Sequence, residues 1–367
     1  MKILHVVENL NRGGLERVVL NLVEYQLSIG DVCKIVCVYE EGILVDEARS
    51  FGIEVVALHK KNGFDIRLIS DFRTVINKFK PDVVHSHNPI PNYYSALALL
   101  GKKTPLINTR HGMGVDPYSW KRETLYRLSL FRTQKCIAVC DAAMNSFKER
   151  NIFPSTKSLV ITNGIKTEKF YSSSENQLSF RSQFKIETSA IVLGTVGRLN
   201  HAKDYMTMLN AYNNVTKKVD NVYLVIIGGG ELMPELEQFV IEHGLKGKVL
   251  LLGDQDDVPY YLSVFDVFVM SSKTEGYSMA LLEAGAAGLP YVVTDVGGNC
   301  EIVQDAVTGY LTEAGKPEDL AAKIVELIDE DNIEKFGMAS KEWAELNGSV
   351  ASMGDAYRLC YEAVSIS

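Results

Sequence analysis

A regular alternation of short apolar runs with amphipathic segments is the feature that most constrains the fold of this chain. Runs such as KILHVVE, DVVHSH and TPLINTR have the length of strands and are separated by longer segments. Within one such segment, residues 15–23, apolar residues recur at helical spacing. Strands with continuous apolar runs that alternate with helices indicate a parallel sheet covered by helices on both faces.

The alternation occurs twice, which suits two domains in a chain of 367 residues. A polar, Ser-rich segment at 169–188 interrupts it and predicts a linker. We therefore predict one doubly wound domain at 1–168, a second at 189–345, and a helix at 346–367 that packs back on the first. Since ligands bind beyond the carboxyl ends of the strands in such sheets, two of them in tandem predict a cleft between domains.

Hydropathy and cysteine usage indicate the compartment. No apolar run reaches the ~18 residues of a membrane-spanning helix, and the start, MKILHVVENLNRGG, is too polar for a signal peptide. We therefore expect a cytoplasmic protein. The six cysteines are too few for a disulfide framework, and the pairs Cys33/Cys37 and Cys136/Cys140 lie in strand-like runs, so we expect buried, reduced thiols.

Charge is distributed unevenly. Residues 1–165 contain 22 Lys and Arg against 16 Asp and Glu, whereas the whole chain contains 38 against 46. The first half can therefore meet an anionic partner. Its most basic stretch, 118–135, has helical spacing and includes Lys121 and Arg122. It is either an ordinary surface helix or a patch for an anionic membrane or a lipid-phosphate acceptor.

A glycine pair follows the first predicted strand, in NRGGLE. Gly13 and Gly14 have no Cβ atom, so a phosphate or sugar can approach the backbone N–H groups at the start of a helix. The same residues also suit a tight turn. Because the spacing differs from GxGxxG, it does not indicate a dinucleotide site.

Two cations lie five residues apart after a strand of the second series, in GRLNHAKD. Arg198 and Lys203 can converge on a diphosphate, although a solvated basic pair has the same pattern. Farther on, IGGGE predicts a close-packed turn. An Asp-x-Asp pair such as Asp254 and Asp256 can hold a divalent cation on a nucleotide diphosphate, but here it predicts a surface loop.

Histidines and two glutamates complete the candidate groups. His85, His87 and His111 lie at the ends of predicted strands, where a structural histidine is the commoner case; His111 precedes a Gly-x-Gly that permits close ligand approach. Glu275 lies in the loop before a helix that begins near Ser278 and ends at Gly288, and Glu283 lies inside that helix.

Taken in order, these motifs resemble those of the retaining family-four glycosyltransferases of GT-B fold. The matching pieces are GGLE, HG, GRLNHAKD and TEGYSMALLEAGAAGLPYVVTDVGG. The resemblance extends over nearly the whole chain and is weakest at 60–80 and 112–135. It implies two Rossmann-like domains that face each other across a cleft, with a helical C-terminal segment.

The resemblance also implies roles in binding the donor. Gly13 and Gly14 are similar to the backbone donors to its phosphate, and Arg198 and Lys203 to the clamps on its diphosphate. Glu283 resembles the acceptor of hydrogen bonds from the ribose hydroxyls.

At the sugar, Glu275 and the backbone of residues 276–278 resemble the groups that hold the hydroxyls. His111 resembles the residue near the 6-position. Gly276, Tyr277 and Ser278 are thus donor-binding candidates, although Tyr277–Ser278 replaces the Phe-Gly of many relatives. The implied catalytic residues are His111, Arg198, Lys203 and Glu275, and the acceptor-side candidates are His87, Lys121 and Arg122.

The implied reaction moves a hexose or N-acetylhexosamine, with retention, from a nucleotide-diphosphate sugar to a glycan, lipid-linked or small-molecule acceptor. UDP is favoured over GDP, and the setting is cell-surface polysaccharide or glycoconjugate biosynthesis at the inner face of the membrane. We expect no metal, no cofactor beyond the nucleotide sugar as co-substrate, and no nucleic-acid partner. A GT-B sugar-nucleotide epimerase and a non-catalytic nucleotide-sugar-binding protein remain open alternatives.

Overall fold

The computed structural model describes residues 1–113, 120–329 and 332–365. These residues form two compact units. One consists of Met1–Gly164 together with the C-terminal segment from Val350, and the other of Ile165–Ser349.

The first unit is built on a parallel sheet in the order β3-β2-β1-β4-β5-β6-β7. Its apolar strands and the helices beside them share a core that includes Val6, Phe72 and Tyr94. The strands are β1 (Lys2–Val7), β2 (Val32–Cys37), β3 (Glu54–Ala57), β4 (Val83–His87), β5 (Leu106–Arg110), β6 (Lys135–Ala138) and β7 (Ser158–Val160). The helices are α1 (Gly14–Ser28), α2 (Val45–Ser50), α3 (Ile66–Phe79), α4 (Pro89–Ala98), α5 (Trp120–Ser129) and α6 (Asp141–Glu149).

The second unit repeats the plan with a parallel sheet in the order β10-β9-β8-β11-β12-β13. Its strands are β8 (Ile191–Val196), β9 (Val222–Ile227), β10 (Val249–Leu251), β11 (Val267–Met270), β12 (Tyr291–Thr294) and β13 (Gly309–Thr312). Its helices are α7 (Ser174–Phe184), α8 (Tyr205–Val215), α9 (Met233–Glu242), α10 (Val258–Val264), α11 (Met279–Ala286), α12 (Asn299–Ile302), α13 (Pro317–Asp329) and α14 (Ile333–Asn347).

The C-terminal helix α15 (Val350–Ser365) packs against α1 in the first unit. Gly354 makes this contact possible, because a Cβ atom there would lie 2.1 Å from Cδ1 of Tyr25. The hydroxyl of Tyr25 donates to Oδ1 of Asp355 over 2.6 Å. The helix thereby covers one flank of the first sheet.

The polar segment 169–188, predicted as a linker, instead contains the helix α7, which packs on α10. Phe180 is fully buried there, and Arg181 Nη2 lies 2.8 Å from Asp266 Oδ2. The sequence does not predict this helix, because its apolar contact is narrow and its ion pair joins residues far apart in the chain. The predicted domain boundaries, at 168 and 189, stay predictions.

Both sheets reverse their strand order at a topological switch point, which is where ligands bind in doubly wound sheets. In the first sheet the reversal lies between β1 and β4, and in the second between β8 and β11. The candidate residues follow these strands or their immediate neighbours.

Among the described residues, every helix is too short or too polar to cross a bilayer. Within that part of the chain, Cys33, Cys37, Cys136 and Cys140 are buried thiols that take part in no disulfide, as expected, and burial raises the pKa of Cys33, Cys37 and Cys136 to about 12.

Candidate active site

In the second unit, the loop from β8 to α8 carries both predicted cations. Arg198 is exposed two residues after β8, and Lys203 is half-buried just before α8. Side-chain hydroxyls hold the backbone of this loop: Ser271 donates to the carbonyl of Lys203 over 3.0 Å, and Tyr205 donates to the carbonyl of Gly197 over 3.0 Å. The loop is thereby tied to the strand end opposite it, where β11 finishes.

The structure brings Lys203 and Glu275 into contact. Lys203 Nζ lies 2.6 Å from Glu275 Oε1, and the hydroxyl of Ser272 donates to the same oxygen over 2.5 Å. The two side chains are 23% and 10% exposed. Both contacts fall on Oε1, and within the part of the chain that the structure describes Oε2 has no hydrogen-bond partner. The site thus presents a cation and a carboxylate oxygen side by side.

Hydrogen bonds from β12 and the segment after it hold the loop that carries Glu275. The Thr294 hydroxyl donates to the carbonyl of Ser272 over 2.7 Å, and the N–H of Gly298 donates to the carbonyl of Gly276 over 2.8 Å. These bonds link the TEGYS segment to the following DVGG segment. Glu275 is therefore positioned by backbone contacts on both sides of it.

The helix α11 begins and ends where its sequence predicts. Ser278 is its N-cap and Gly288, with a φ of +82°, follows its C-cap. Tyr277 and Ser278 are buried, and Glu283 is half-buried in the second turn. Glu275 and Glu283 thus occupy different structural elements, a loop and a helix.

The glycine triplet after β9 forms the close-packed turn that its sequence predicts. A Cβ atom on Gly228 would lie 2.0 Å from the carbonyl oxygen of Gly197, and one on Gly230 would lie 2.3 Å from that of Leu199. Asp254, in the Asp-x-Asp pair, accepts a hydrogen bond of 2.7 Å from the N–H of Gly229. This carboxylate therefore has a structural partner in the turn.

In the first unit, histidines on two strands and one just after a third strand form a continuous row. His5 on β1 pairs with His85 on β4, and His87 lies on the same strand face as His85 because side chains alternate along a strand. His111 follows β5, the next strand of the sheet. Centroids of the neighbouring rings lie 4.1 Å apart for His85 and His87 and 5.2 Å apart for His87 and His111.

Hydrogen bonds connect three of these rings end to end. His5 Nδ1 lies 3.1 Å from His87 Nε2, and His87 Nδ1 lies 3.0 Å from His111 Nε2. Burial lowers the pKa of His5 to about 4 and of His111 to about 3, and holds the pKa of His87 well below its usual range. All three rings are neutral at pH 7.

One acceptor-side assignment needs correction. His87 is 1% exposed and both of its ring nitrogens are bonded to other histidines. It therefore connects His5 to His111 and has no surface with which to contact an acceptor. The acceptor-side role was implied by the family resemblance, whereas the side chain lies within the row of rings.

His5, His85 and His87 also have the spacing of a metal site, with ring nitrogens within 4.8 Å of one another. Each of their six ring nitrogens, however, already has a hydrogen-bond partner. A metal ion would need a lone pair from each ring. The three histidines fit a hydrogen-bonded network better than a metal centre.

The glycine pair lies at the start of α1, with Gly13 as its N-cap and Gly14 as its first residue. Gly13 has extended backbone, and its cap position has no side chain to accept from the first N–H groups of the helix. The Glu16 carboxylate lies beside Gly13, with Oε2 2.3 Å from where a Cβ atom would stand, and the binding of a phosphate at this helix start stays a prediction.

The helix α5 carries Lys121 and Arg122, the former exposed and the latter half-buried. Arg110 and Glu123 anchor the helix through a buried bidentate ion pair, with distances of 3.0 and 2.7 Å. Part of the predicted segment, residues 118–119, lies outside the described residues, as does the second glycine of the Gly-x-Gly motif at 114.

Comparison with known proteins decides the family. Residues 12–169 match the family model described as Glycosyltransferase Family 4, and residues 176–343 match the model described as Glycosyl transferases group 1. The chain belongs to the family-four glycosyltransferases. Its two parallel sheets with flanking helices are those of the GT-B fold.

The similarity to individual relatives is low in identity but extends over most of the chain. This glycosyltransferase is 28% identical to the UDP-Gal:α-D-GlcNAc-diphosphoundecaprenol α-1,3-galactosyltransferase of Escherichia coli, over 90% of this chain and 88% of that protein. It is 26% identical to the N-acetyl-α-D-glucosaminyl L-malate synthase of Bacillus anthracis, over 74% and 72%. The crystal structure of Anabaena Alr3699/HepE with UDP matches with a TM-score of 0.89 at 19% sequence identity, over 99% of this chain and 100% of that one. The structure of the same protein with UDP-glucose matches with a TM-score of 0.87 at 20% sequence identity, over the same shares of the two chains.

Sequence reasoning missed several groups that this glycosyltransferase places around its candidate residues. His5 lies within an apolar strand and Gln26 within α1, and neither belongs to a recognisable motif. Glu8 follows β1 at the switch point, and burial raises the pKa of its carboxyl although Arg122 and Lys60 oppose this. The sequence offered one signal for His5: it lies on β1 at a position that faces the same way as His85 and His87 on the neighbouring strand β4.

Proposed function

We propose that this glycosyltransferase transfers a hexose or N-acetylhexosamine from a UDP-sugar, with retention of anomeric configuration, to a lipid-linked acceptor in glycoconjugate biosynthesis. The observation that carries the proposal is the contact between Lys203 and Glu275 at the switch point of the second sheet. A cation that can meet a leaving diphosphate and a carboxylate that can accept from sugar hydroxyls are adjacent there, which supports a nucleotide-sugar site.

The cations act on the leaving group. Breaking the anomeric C–O bond leaves a nucleoside diphosphate with growing negative charge, and preorganised donors stabilise that charge in the transition state. Lys203 has three N–H groups and uses one on Glu275, so others can reach a phosphate. Arg198 adds a planar donor set on the same loop.

The two glutamates hold different parts of the donor. Glu275 accepts hydrogen bonds from sugar hydroxyls through Oε2, with the backbone of residues 276–278 beside it. Glu283, on the helix that follows, accepts from the ribose hydroxyls. In a retaining reaction the leaving phosphate takes the acceptor's proton on the face from which it departs, so the site needs no second carboxylate as a base.

The relatives support a UDP donor and a lipid-linked acceptor. The E. coli relative is named for UDP-galactose and a diphosphoundecaprenol acceptor, and the Anabaena structures contain UDP and UDP-glucose. A divalent metal is not part of the proposal, because Arg198 and Lys203 supply positive charge for the phosphates and Asp254 is bonded to Gly229. Turnover should therefore persist in EDTA.

The helix α5 and the residues directly after it, through Phe131, support approach to a membrane surface. Leu128 and Phe131 are 63% and 70% exposed, and Lys121 and Arg127 lie on the same basic segment. Exposed apolar side chains beside cations fit the interface of an anionic bilayer. A lipid-linked acceptor would be reached from that surface.

Thermal-shift measurement against UDP-, GDP-, ADP- and dTDP-sugars tests the donor. We expect a selective rise of the melting temperature with UDP-sugars, followed by transfer of the same sugar to a polyprenyl-diphosphate acceptor. A parallel incubation with donor alone distinguishes transfer from epimerisation, since an epimerised sugar nucleotide would favour the epimerase. A flat response to all four nucleotides would contradict the proposal.

Sedimentation with liposomes tests the membrane surface. The parent protein should sediment with vesicles containing an anionic phospholipid and not with neutral ones. Replacing Leu128 and Phe131 with Gln should abolish this, while Leu346→Gln, at a leucine 73% exposed in the second unit, should not. Equal sedimentation of all variants would contradict a role of α5 in membrane binding.

A further inference from the structure

The row of histidines in the first unit begins at Gln26, a buried residue of α1. Gln26 Oε1 lies 2.8 Å from His5 Nε2. From there the contacts run from His5 to His87 and from His87 to His111. The glutamine side chain is thus linked to His111 through two intervening rings.

In a row of hydrogen-bonded neutral imidazoles, every ring donates in the same direction along the row. We call this direction the polarity of the row, and it has two possible values. Each neutral ring has a single N–H, on one nitrogen, and a lone pair on the other. A hydrogen bond between two such rings needs one N–H and one lone pair, so the tautomer of the first ring determines that of each ring after it. The group at the start of the row therefore selects the polarity.

Gln26 presents an oxygen to His5, and this selects one polarity. A carbonyl oxygen only accepts, so His5 carries its proton on Nε2 and accepts at Nδ1 from His87 Nε2–H. His87 then accepts at Nδ1 from His111 Nε2–H. His111 is left with an unprotonated Nδ1.

Neighbouring groups fix the orientation of the glutamine amide. The thiol of Cys33 donates to Gln26 Oε1 over 3.3 Å, and burial raises its pKa to about 12, so it remains a donor. On the other side, Gln26 Nε2 donates to the hydroxyl of Tyr361 over 3.1 Å. Rotating the amide by 180° would place its NH₂ group against the thiol and lose the S–H···O bond.

The far end of the row has an acceptor without a donor. Among the described residues, His111 Nδ1 is shielded from solvent and has no hydrogen-bond partner. The backbone N–H of His111 donates to Asn88 Oδ1 over 3.1 Å, which holds the residue in place. A buried acceptor of this kind normally meets a donor, and a ligand hydroxyl can supply it.

We propose that Gln26 is a positioning residue that fixes His111 as its Nε2–H tautomer through His5 and His87, so that His111 Nδ1 accepts a hydrogen bond from a hydroxyl of the donor sugar. The second half of this inference rests on the proposed function. The first half concerns the protein without substrate and can be tested separately.

Nitrogen NMR of ¹⁵N-histidine-labelled protein tests the tautomer. Long-range ¹H–¹⁵N correlations distinguish Nε2–H from Nδ1–H, and the spectrum of a His111→Asn variant identifies the His111 signals. We expect the Nε2–H form at pH 7 in the parent, and a mixture of tautomers in Gln26→Leu. Gln26→Glu should restore the parent pattern, since a neutral carboxyl can accept from His5 and donate to Tyr361.

A control variant and two reference signals separate this effect from misfolding. The control is Cys37→Ala, which changes a buried residue of the same unit outside the row; its thiol contacts the backbone carbonyl of Glu41, and its loss should leave the His111 signals unchanged. The signals of His201 and His243, in the second unit, should not move in any variant. A parent His111 that is protonated on Nδ1, or Gln26→Leu spectra identical to those of the parent, would overturn the relay.

Calorimetry with UDP-glucose and UDP tests the contact with the sugar. Gln26→Leu should weaken UDP-glucose binding about fivefold to tenfold, the effect of one hydrogen bond, and leave UDP binding unchanged. Equal affinities of parent and variant for UDP-glucose would overturn the sugar contact. If neither ligand binds the parent, the proposed UDP donor fails, while the NMR result still decides the relay.

Discussion

Lys203 Nζ and Glu275 Oε1 are 2.6 Å apart, although 72 residues separate them in the chain. Lys203 precedes α8 and Glu275 follows β11, and these segments meet because β8 and β11 are neighbours at the switch point of the second sheet. The pairing keeps the ammonium group in a fixed position before substrate arrives. Preorganisation of this kind is what makes a charged donor effective in the transition state.

Replacing the lysine should therefore affect the chemical step. We expect Lys203→Met to lower kcat about 10²- to 10³-fold with a UDP-sugar, because a preorganised donor to the leaving diphosphate is lost. The matched control is Lys273→Met, which removes an exposed lysine paired with Asp204 at 3.2 Å. Steady-state kinetics of both variants check the prediction, and a comparable loss in the two would show that the effect is not specific to the site.

Glu275 should affect turnover more than nucleotide binding. Since its proposed contact is with the sugar, Glu275→Ala should lower kcat about 10²-fold or more while the Kd for UDP changes little. Titration calorimetry with UDP and initial-rate assays measure the two effects. If UDP affinity fell as much as kcat, Glu275 would act by positioning Lys203 and not by holding the sugar.

Glu283 should behave in the opposite way. Glu283→Ala removes a charged acceptor from the ribose hydroxyls and should raise the Kd for UDP about tenfold or more, with a smaller change in kcat. The analogue 2′,3′-dideoxy-UDP should bind parent and variant equally, because it lacks those hydroxyls. Glu235→Ala, at an exposed glutamate of α9, is the control. A variant that still prefers UDP over the dideoxy analogue as strongly as the parent would contradict the assignment.

Local patterns in the sequence predict the elements of this fold but not their long-range contacts. The helix α11 begins at its predicted N-cap, Ser278, and stops before Gly288, because capping and chain reversal depend on neighbouring residues. The helix α7 was missed because its stabilising contacts, such as that of Arg181 with Asp266, join distant parts of the chain.

The same distinction applies to the candidate site. The motifs predict Lys203 and Glu275 individually, yet their contact requires the strand order, which the sequence does not specify by periodicity alone. His5 was missed for the same reason: within β1 it resembles a single polar residue in an apolar strand, and only the pairing of β1 with β4 brings it to His85.

The buried histidines should also make stability depend on pH. Burial lowers the pKa of His5 to about 4, and it lowers those of His85 and His87 as well. In the unfolded chain a histidine titrates near pH 6.5. Below that pH the unfolded state binds more protons than the folded state, so the free energy of unfolding falls as pH falls.

We therefore expect full stability above about pH 6.5 and a progressive loss below it, with His5 contributing about 1.4 kcal/mol per pH unit down to about pH 4 and His85 and His87 adding to the loss in the same direction. Urea denaturation at several pH values, followed by circular dichroism, measures this slope. His5→Phe should make the slope shallower by about one proton, because one group no longer titrates in the unfolded state. His201→Phe, at an exposed histidine, should leave the slope unchanged. A parent whose stability is constant from pH 7 to 5 would show that these rings accept protons while folded.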